Sequence, residues 1–213
     1  MNNLNIIDLG LTEYQRALEI QKTLVKDRLS NLTTDTLLLV EHPHVVTLGK
    51  QTNPEDVLNN SIPIIKIDRG GSATYHGPGQ LIGYIIMDLK NKGISVPVLI
   101  SKIHEIIILT LNELGIKAKR RKDNTGVWID EKKIASIGLS VRNWITYHGF
   151  SLNVNTDLEK FNTIRPCGYD SQVMTSINSI KRNQYSEELV KKKIINNFSK
   201  VFEYNRIKSL GKN

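Results

Sequence analysis

The sequence contains one cysteine, Cys167, within Ile164-Arg165-Pro166-Cys167-Gly168-Tyr169. A lone cysteine is more often a small buried apolar residue than a nucleophile. Pro166 and Gly168 put this one at a turn and not mid-strand, and the neighbouring Arg165 favours thiolate over thiol. With an ordinary pKa of about 8.5, a thiol needs such help to react near neutral pH. The chemistry open to it is covalent group transfer, which requires a proton acceptor or a stabilising cation. His42, His44, His76, His104, His148 and the lysines are the candidates. His104 falls in a helical stretch, and His148 suits a satisfied core histidine and a site residue equally. Lys132 and Lys133 fall at a hairpin turn, where exposure to solvent is the default. Spacing alone singles out none of them.

A second stretch, Asp68-Arg69-Gly70-Gly71-Ser72-Ala73-Thr74-Tyr75-His76-Gly77-Pro78-Gly79-Gln80, packs four glycines and a proline into a short span. Such material suits a tight loop whose backbone closely approaches another group. A turn-rich hairpin connection is the plain alternative. The polar side chains of Arg69, Thr74, Tyr75, His76 and Gln80 beside the glycines favour a ligand-binding loop. It lacks the Gly-Lys-Ser/Thr ending of a phosphate loop and the spacing of a dinucleotide fingerprint. There is no Gly-x-Ser-x-Gly elbow, which disfavours a serine hydrolase. His42-Pro43-His44 is a weak zinc candidate without further ligands near it, so no metal is expected.

These groups need elements to hold them. A strand at Asn5 to Leu9 precedes a helix from Thr12, where Thr12 and Gln15 make a capping-box pattern. Strands follow at Thr36 to Val40, Val45 to Leu48, Pro63 to Ile67 and Leu81 to Leu89. Ser95 and Pro97 open a helix that Gly115 stops, with Leu99, Ile103, Ile106, Ile107 and Leu114 as its apolar stripe. Gly126 to Ile129, Lys133 to Arg142 and Ile145 to Val154 read as an antiparallel meander turning at Asp130 to Lys132 and at Asn143-Trp144. Ser186 caps a last helix carrying Val190, Ile194, Phe198 and Val201. Residues 205–213 read as a loose basic tail. Strands mixed with helices without regular alternation predict an α/β class, a mixed α+β sandwich, over a doubly wound parallel sheet.

The 213 residues suit a single domain spanning 1–213, since no repeat or linker divides them. No apolar run approaches the roughly 20 residues that cross a bilayer, so no membrane association is expected. The N-terminus does not read as a signal peptide, and a single cysteine fits a reducing compartment, so a cytoplasmic location is expected. Twenty-nine Lys and Arg against 21 Asp and Glu give a net charge of +8. That excess attracts acidic partners. Without a nucleic-acid motif, and with 6% aromatics, the expected partner is an acidic protein and not nucleic acid.

Four blocks in order resemble the lipoyl(octanoyl) transferase family. They are Glu41-His42-Pro43 with Thr47-Leu48-Gly49; Arg69-Gly70-Gly71 with Thr74 through Leu81; Lys133-Ile134-Ala135-Ser136-Ile137-Gly138 running through Tyr147-His148-Gly149 to Leu152-Asn153-Val154; and Pro166-Cys167-Gly168. The resemblance spans roughly residues 36 to 178. It implies a biotin/lipoate protein ligase-like fold, a mostly antiparallel sheet flanked by helices. It implies transfer of an octanoyl or lipoyl group from acyl carrier protein to a lysine of lipoyl domains, the first step of endogenous protein lipoylation. It implies Cys167 as acyl-thioester nucleophile and Lys133 as its acid/base partner. Arg69, Gly70, Gly71, Ser72, Ala73, Thr74, Tyr75 and His76 would bind substrate, with Ser136, Ile137, Gly138, Gly149, Phe150 and Ser151 lining the rest of the acyl pocket. No soluble cofactor is implied. Lipoyl domains of 2-oxoacid dehydrogenase and glycine cleavage complexes are the implied acceptors, and a monomer is expected. The sequence departs from the family at Tyr84-Ile85, where Tyr-Pro is usual, at His44, and at Phe150-Ser151, where Leu-Ala is common. Phe150 bears on pocket depth and chain length.

Overall fold

The computed structural model describes residues 3–121, 125–182 and 185–211, with Cys167 described by its backbone alone. The chain runs β1 (Asn3–Leu11), α1 (Tyr14–Leu29), β2 (Asp35–Glu41), β3 (Val45–Leu48), β4 (Ile64–Lys66), β5 (Thr74–His76) and β6 (Gln80–Ile86). It continues through α2 (Leu89–Lys92), α3 (Val96–Glu113), β7 (Lys119–Arg120), β8 (Gly126–Ile129), β9 (Lys132–Arg142) and β10 (Ile145–Asn153). It ends with α4 (Ile177–Lys181), α5 (Glu187–Val201) and β11 (Arg206–Leu210).

Eight strands form one sheet in the order β11-β1-β2-β6-β10-β9-β8-β7. Its pairings are antiparallel except β1 with β2 and β1 with β11. The expected class, a mostly antiparallel sheet flanked by helices, is the one observed. The central strands β2 and β6 are apolar over most of their length because both faces are covered. On β2, Leu37 and Leu39 face the core beneath α3 and α5, while Leu38 and Val40 face the one beneath α1. On β6, Leu81 and Ile85 alternate with Ile82, Tyr84 and Ile86 in the same way. The β9–β10 hairpin turns at Asn143 and Trp144, both with positive φ, the backbone twist that a two-residue hairpin turn requires.

A second sheet, β4-β3-β5, was not expected. β3 pairs with β4 in parallel and with β5 antiparallel. The glycine-rich loop therefore leaves one neighbour of β3 and returns along the other. β5 is three residues long and lies inside that stretch, where glycine hid it from strand patterning.

Three local expectations change. The Thr12 hydroxyl donates to the Leu9 carbonyl and caps nothing, so α1 begins at Tyr14 without a side-chain cap. The strand expected through Leu89 ends at Ile86, and α2 begins at Leu89. The tail expected to be loose forms β11 at Arg206–Leu210, pairing in register with Asn3 to Ile7. Its side chains are mostly exposed, so main-chain pairing carries it, and that leaves no apolar pattern to read.

Candidate functional site

The loop between β4 and β5 is built around Arg69, which is buried. Its Nη2 donates to the Thr47 carbonyl at 2.9 Å and the Thr47 hydroxyl at 3.0 Å. Its Nη1 donates to the carbonyls of Gly70 at 3.0 Å and Ser72 at 2.8 Å. Arg69 thus organises the loop from within, each bond being stronger for the charge on the donor. Gly71 has φ of +83° and Gly49 lies so close to the Gly71 carbonyl that a Cβ would collide with it. The Gly70 N–H donates to the Leu139 carbonyl at 3.0 Å, which fastens the loop to β9.

Behind the loop runs a buried polar chain. His76 Nδ1 lies 2.7 Å from Gln80 Oε1, and Gln80 Nε2 donates to Asn153 Oδ1 at 2.9 Å. Asn153 Nδ2 donates to the Thr175 carbonyl at 2.9 Å. Burial pushes His76 down to about 3 and His42 down to about 4, so both rings are neutral at physiological pH.

Lys133 differs most from the turn lysine expected on spacing. It is 1% exposed. The β8–β9 register slips here: Val127 faces Ala135 but Trp128 faces Lys133, leaving one extra residue on β9. Such a bulge re-aims the side chain it carries. A Cβ on Gly126 would lie 2.6 Å from Lys133 Cε, so only glycine leaves the stem its path. Nζ lies 5.8 Å from the Trp128 ring centre, and the Thr175 N–H donates to the Lys133 carbonyl at 2.9 Å.

The Pro166–Gly168 segment is a single 3-10 turn, with Gly168 at φ +77°. Asp56 connects it to the loop. The Asp56 carbonyl accepts from the Arg165 N–H at 2.8 Å, and its carboxylate accepts from the Ser72 hydroxyl at 2.7 Å. Asp56 was not anticipated, because a residue acting through one carbonyl and one carboxylate leaves no motif. Arg165 is exposed. The pairing of the Cys167 thiol with Lys133 lies outside the described residues.

One cleft joins these parts. Its walls include Arg69, Gly71, Ser72, Ala73, Thr74 and His76 from the loop; Lys133, Ser136, Ile137 and Gly138 from β9; Gly149, Phe150 and Ser151 from β10; and Pro166 from the cysteine turn. Gly70 contributes its backbone contact to β9. Tyr75 points elsewhere, its hydroxyl 2.7 Å from His44 Nδ1 and its ring edge-on to Phe161. Phe150 packs so tightly on Gly83 that a Cβ there would collide with its ring. Tyr14, Ile82, Tyr84, Thr125 and His148 also line the cleft. Of these, only His148 had been a candidate.

His148 is 1% exposed. Its Nε2 lies 3.1 Å from Asp68 Oδ1, its N–H donates to Gln21 Oε1 at 2.9 Å, and its φ is +58°. The Tyr147 hydroxyl also donates to the Asp68 carboxylate. Burial lowers the His148 pKa, and the bond to Asp68 opposes that shift.

Among the described residues, no group of three His, Cys, Asp or Glu side chains could hold a metal ion. No helix among them is long and apolar enough to cross a membrane.

Residues 13–199 match the family described as the lipoyl protein ligase A/B catalytic domain. An octanoyltransferase of Syntrophobacter fumaroxidans is 39% identical over 205 residues, covering 93% of this chain and 90% of its own. One from Legionella pneumophila is 45% identical over 185 residues, covering 86% and 92%. Among solved structures, a bipartite lipoate protein ligase from Thermoplasma acidophilum superimposes with a TM-score of 0.74 at 17% identity, covering 99% of this chain and 88% of that one. A biotin protein ligase from Aquifex aeolicus gives a TM-score of 0.57 at 15% identity, covering 93% and 68%. With the fold of the lipoate and biotin protein ligases and this degree of sequence identity, the chain belongs to the lipoyl protein ligase A/B catalytic domain family and, within it, to the octanoyltransferases, which are acyltransferases.

Proposed function

We propose that this acyltransferase moves an octanoyl group from the thioester of an acyl carrier protein to a lysine of a lipoyl domain, by way of a thioester on Cys167. Its acceptors are the lipoyl domains of 2-oxoacid dehydrogenase and glycine cleavage complexes. The observation that carries this reading is Lys133: an amine buried on a bulged strand, in the same cleft as the proline of the cysteine turn.

In the first half, the neutral amine of Lys133 takes the Cys167 proton and the thiolate attacks the acyl carbonyl. A new C–S bond forms, the carrier C–S bond breaks, and the carrier thiolate leaves with the proton that Lys133 held. In the second half, the acceptor amine attacks the acyl-Cys167 carbonyl. The amide C–N bond forms, the Cys167 C–S bond breaks, and the amine proton passes through Lys133 to the sulfur. One thioester replaces another in the first half, so no nucleotide is consumed. A backbone N–H of the loop or of the cysteine turn would hold the oxyanion, at about 3 kcal/mol for a well-aimed donor. Ile82, Ile137, Phe150 and the glycine backbone supply the apolar lining, and each buried methylene contributes about 0.8 kcal/mol to binding.

The test is transfer in a purified mixture of the enzyme, octanoyl-acyl carrier protein and a lipoyl domain, read as octanoyl mass on the lipoyl domain. Transfer without ATP is expected. Transfer that requires ATP and free octanoate, with the carrier thioester inert, would replace this reading with an acyl-adenylate ligase.

A further inference from the structure

Two demands meet at Gly126 and conflict. A Cβ there would lie 2.6 Å from Lys133 Cε and 3.4 Å from Nζ, so only glycine leaves the amine its room. Glycine, however, is the loosest residue that a strand can carry. The pairing around it is also irregular. β7 pairs with β8 at Trp128 and Val127, and the β8–β9 register slips between those same two residues. Thr125, one residue before Gly126, already lines the cleft. The backbone beside Lys133 is therefore soft where the amine needs a fixed wall.

A side chain of α3 reaches that wall from behind. His104 is buried on α3, and its Nε2 lies 3.1 Å from the Gly126 carbonyl. Its Nδ1 lies 2.9 Å from the Ile100 carbonyl. One turn before His104 on the same helix, the Ser101 hydroxyl accepts from Arg120 Nη1 of β7 at 2.7 Å. The helix is thus tied at two points to the strands that lead to Lys133.

Both carbonyls facing the His104 ring can only accept. Burial above all, and the nearby Arg120, lower the His104 pKa, against the pull of the two carbonyls. The ring is then neutral at physiological pH and has one proton for two acceptors. The Ile100 carbonyl stands four residues back in α3, where the His104 backbone N–H is its regular helical donor. The ring proton therefore belongs on Nε2, directed at Gly126.

We propose that His104 is a positioning residue for acyl transfer: its Nε2–H holds the Gly126 carbonyl, and through Gly126 it fixes the path of the Lys133 stem. It touches neither substrate nor Lys133 and acts only through the strand between them. Without that bond the start of β8 is free to shift, and the Lys133 amine shifts with it. Small displacements of a reacting group have large effects on rate. The proposal rests on the role given to Lys133 in the transfer reaction. A histidine that merely packs α3 would leave Lys133 unaffected, and the two roles part there.

The experiment compares wild type, His104→Gln and His104→Asn. Glutamine puts an amide N–H near the place of Nε2, whereas asparagine puts one near Nδ1. Acyl uptake from octanoyl-acyl carrier protein is measured across pH. His104→Asn should slow uptake about tenfold with KM changed less than about twofold, and should move the Lys133-dependent limb of the pH profile by about one unit. His104→Gln should restore both. The ionisation midpoint of Lys133, followed by NMR through the chemical shift of its Cε, should move in His104→Asn and not in His104→Gln. Folded variants that behave alike, or a midpoint and profile unmoved in His104→Asn, overturn the proposal. If His104→Asn does not fold, the wild-type ring decides: its nitrogen chemical shifts should place the proton on Nε2, and a proton on Nδ1 overturns the proposal. A wild type that takes up no acyl group overturns the transfer reaction instead, while the Lys133 midpoint still tests the positioning.

Discussion

At one end of the cleft, Lys133 brings a single amine on a long stem past Gly126, at a bulge beside Trp128. At the other, His42 with Tyr84 and His148 with Asp68 form short hydrogen-bonded pairs whose partners fix where the ring protons sit. Both ends are buried and polar, yet they suit opposite tasks. A lysine whose stem is guided by packing can exchange a proton with whatever reaches it. A pair whose ring protons are assigned can only accept or refuse a hydrogen bond. The difference separates a centre for chemistry from a boundary for recognition.

Removing the mobile proton should have the largest effect. Lys133→Ala is expected to slow acyl uptake and delivery by about 10²- to 10⁴-fold in single-turnover mixing. Unchanged rates at neutral pH would erase the distinction between the two ends. Gly126→Ala tests the stem's path. Its Cβ would lie 2.6 Å from Lys133 Cε and 2.7 Å from the Ala135 carbonyl, costing about 1–3 kcal/mol of stability by overpacking. Denaturant unfolding measures that cost, and a loss of rate should accompany it because the displaced stem is Lys133.

The fixed-proton side predicts a pH dependence. His42 and His76 have folded pKa values of about 4 and about 3, below the unfolded value near 6.5. A depressed histidine binds its proton more readily when unfolded, so its contribution is fully present above pH 6.5 and is lost as pH falls toward the folded pKa. Each ring should remove about 1.4 kcal/mol per pH unit below about 6.5. Unfolding free energies between pH 7 and pH 5 should fall accordingly, and the slope should lessen in His76→Gln. A flat profile would mean that these rings are not held neutral. The smallest effect belongs to β11, remote from both ends. Ending the chain after Asn205 should cost at most about 1–2 kcal/mol in thermal or denaturant unfolding, since mostly exposed side chains and one edge of pairing are lost. It should leave the rate of octanoyl transfer unchanged.

Much of the frame was legible because it rests on patterns that physics enforces locally. The Asn143-Trp144 turn, the meander from Gly126, the Ser186 cap of α5 and the covered central strands all match expectation. The glycine-rich loop was recognisable from composition, and the resemblance supplied Lys133. Lys133 was misread because a lysine beside a hairpin turn defaults to solvent, whereas the bulge after that turn directs this one inward. Asp56, Tyr14 and the proton assignment at His148 depend on groups that meet only after folding. His148 and Asp68 are far apart in sequence yet touch. β5 and β11 were missed because one is rich in loop signals around it and the other is a polar edge.

The most direct test of the central claim is the intact mass of the enzyme after mixing with octanoyl-acyl carrier protein. Wild type should gain one octanoyl group, released on adding a lipoyl domain, and Cys167→Ser should gain none as a thioester. A wild type that delivers octanoate without ever carrying it, or a Cys167→Ser variant that is acylated and transfers equally well, would contradict the account.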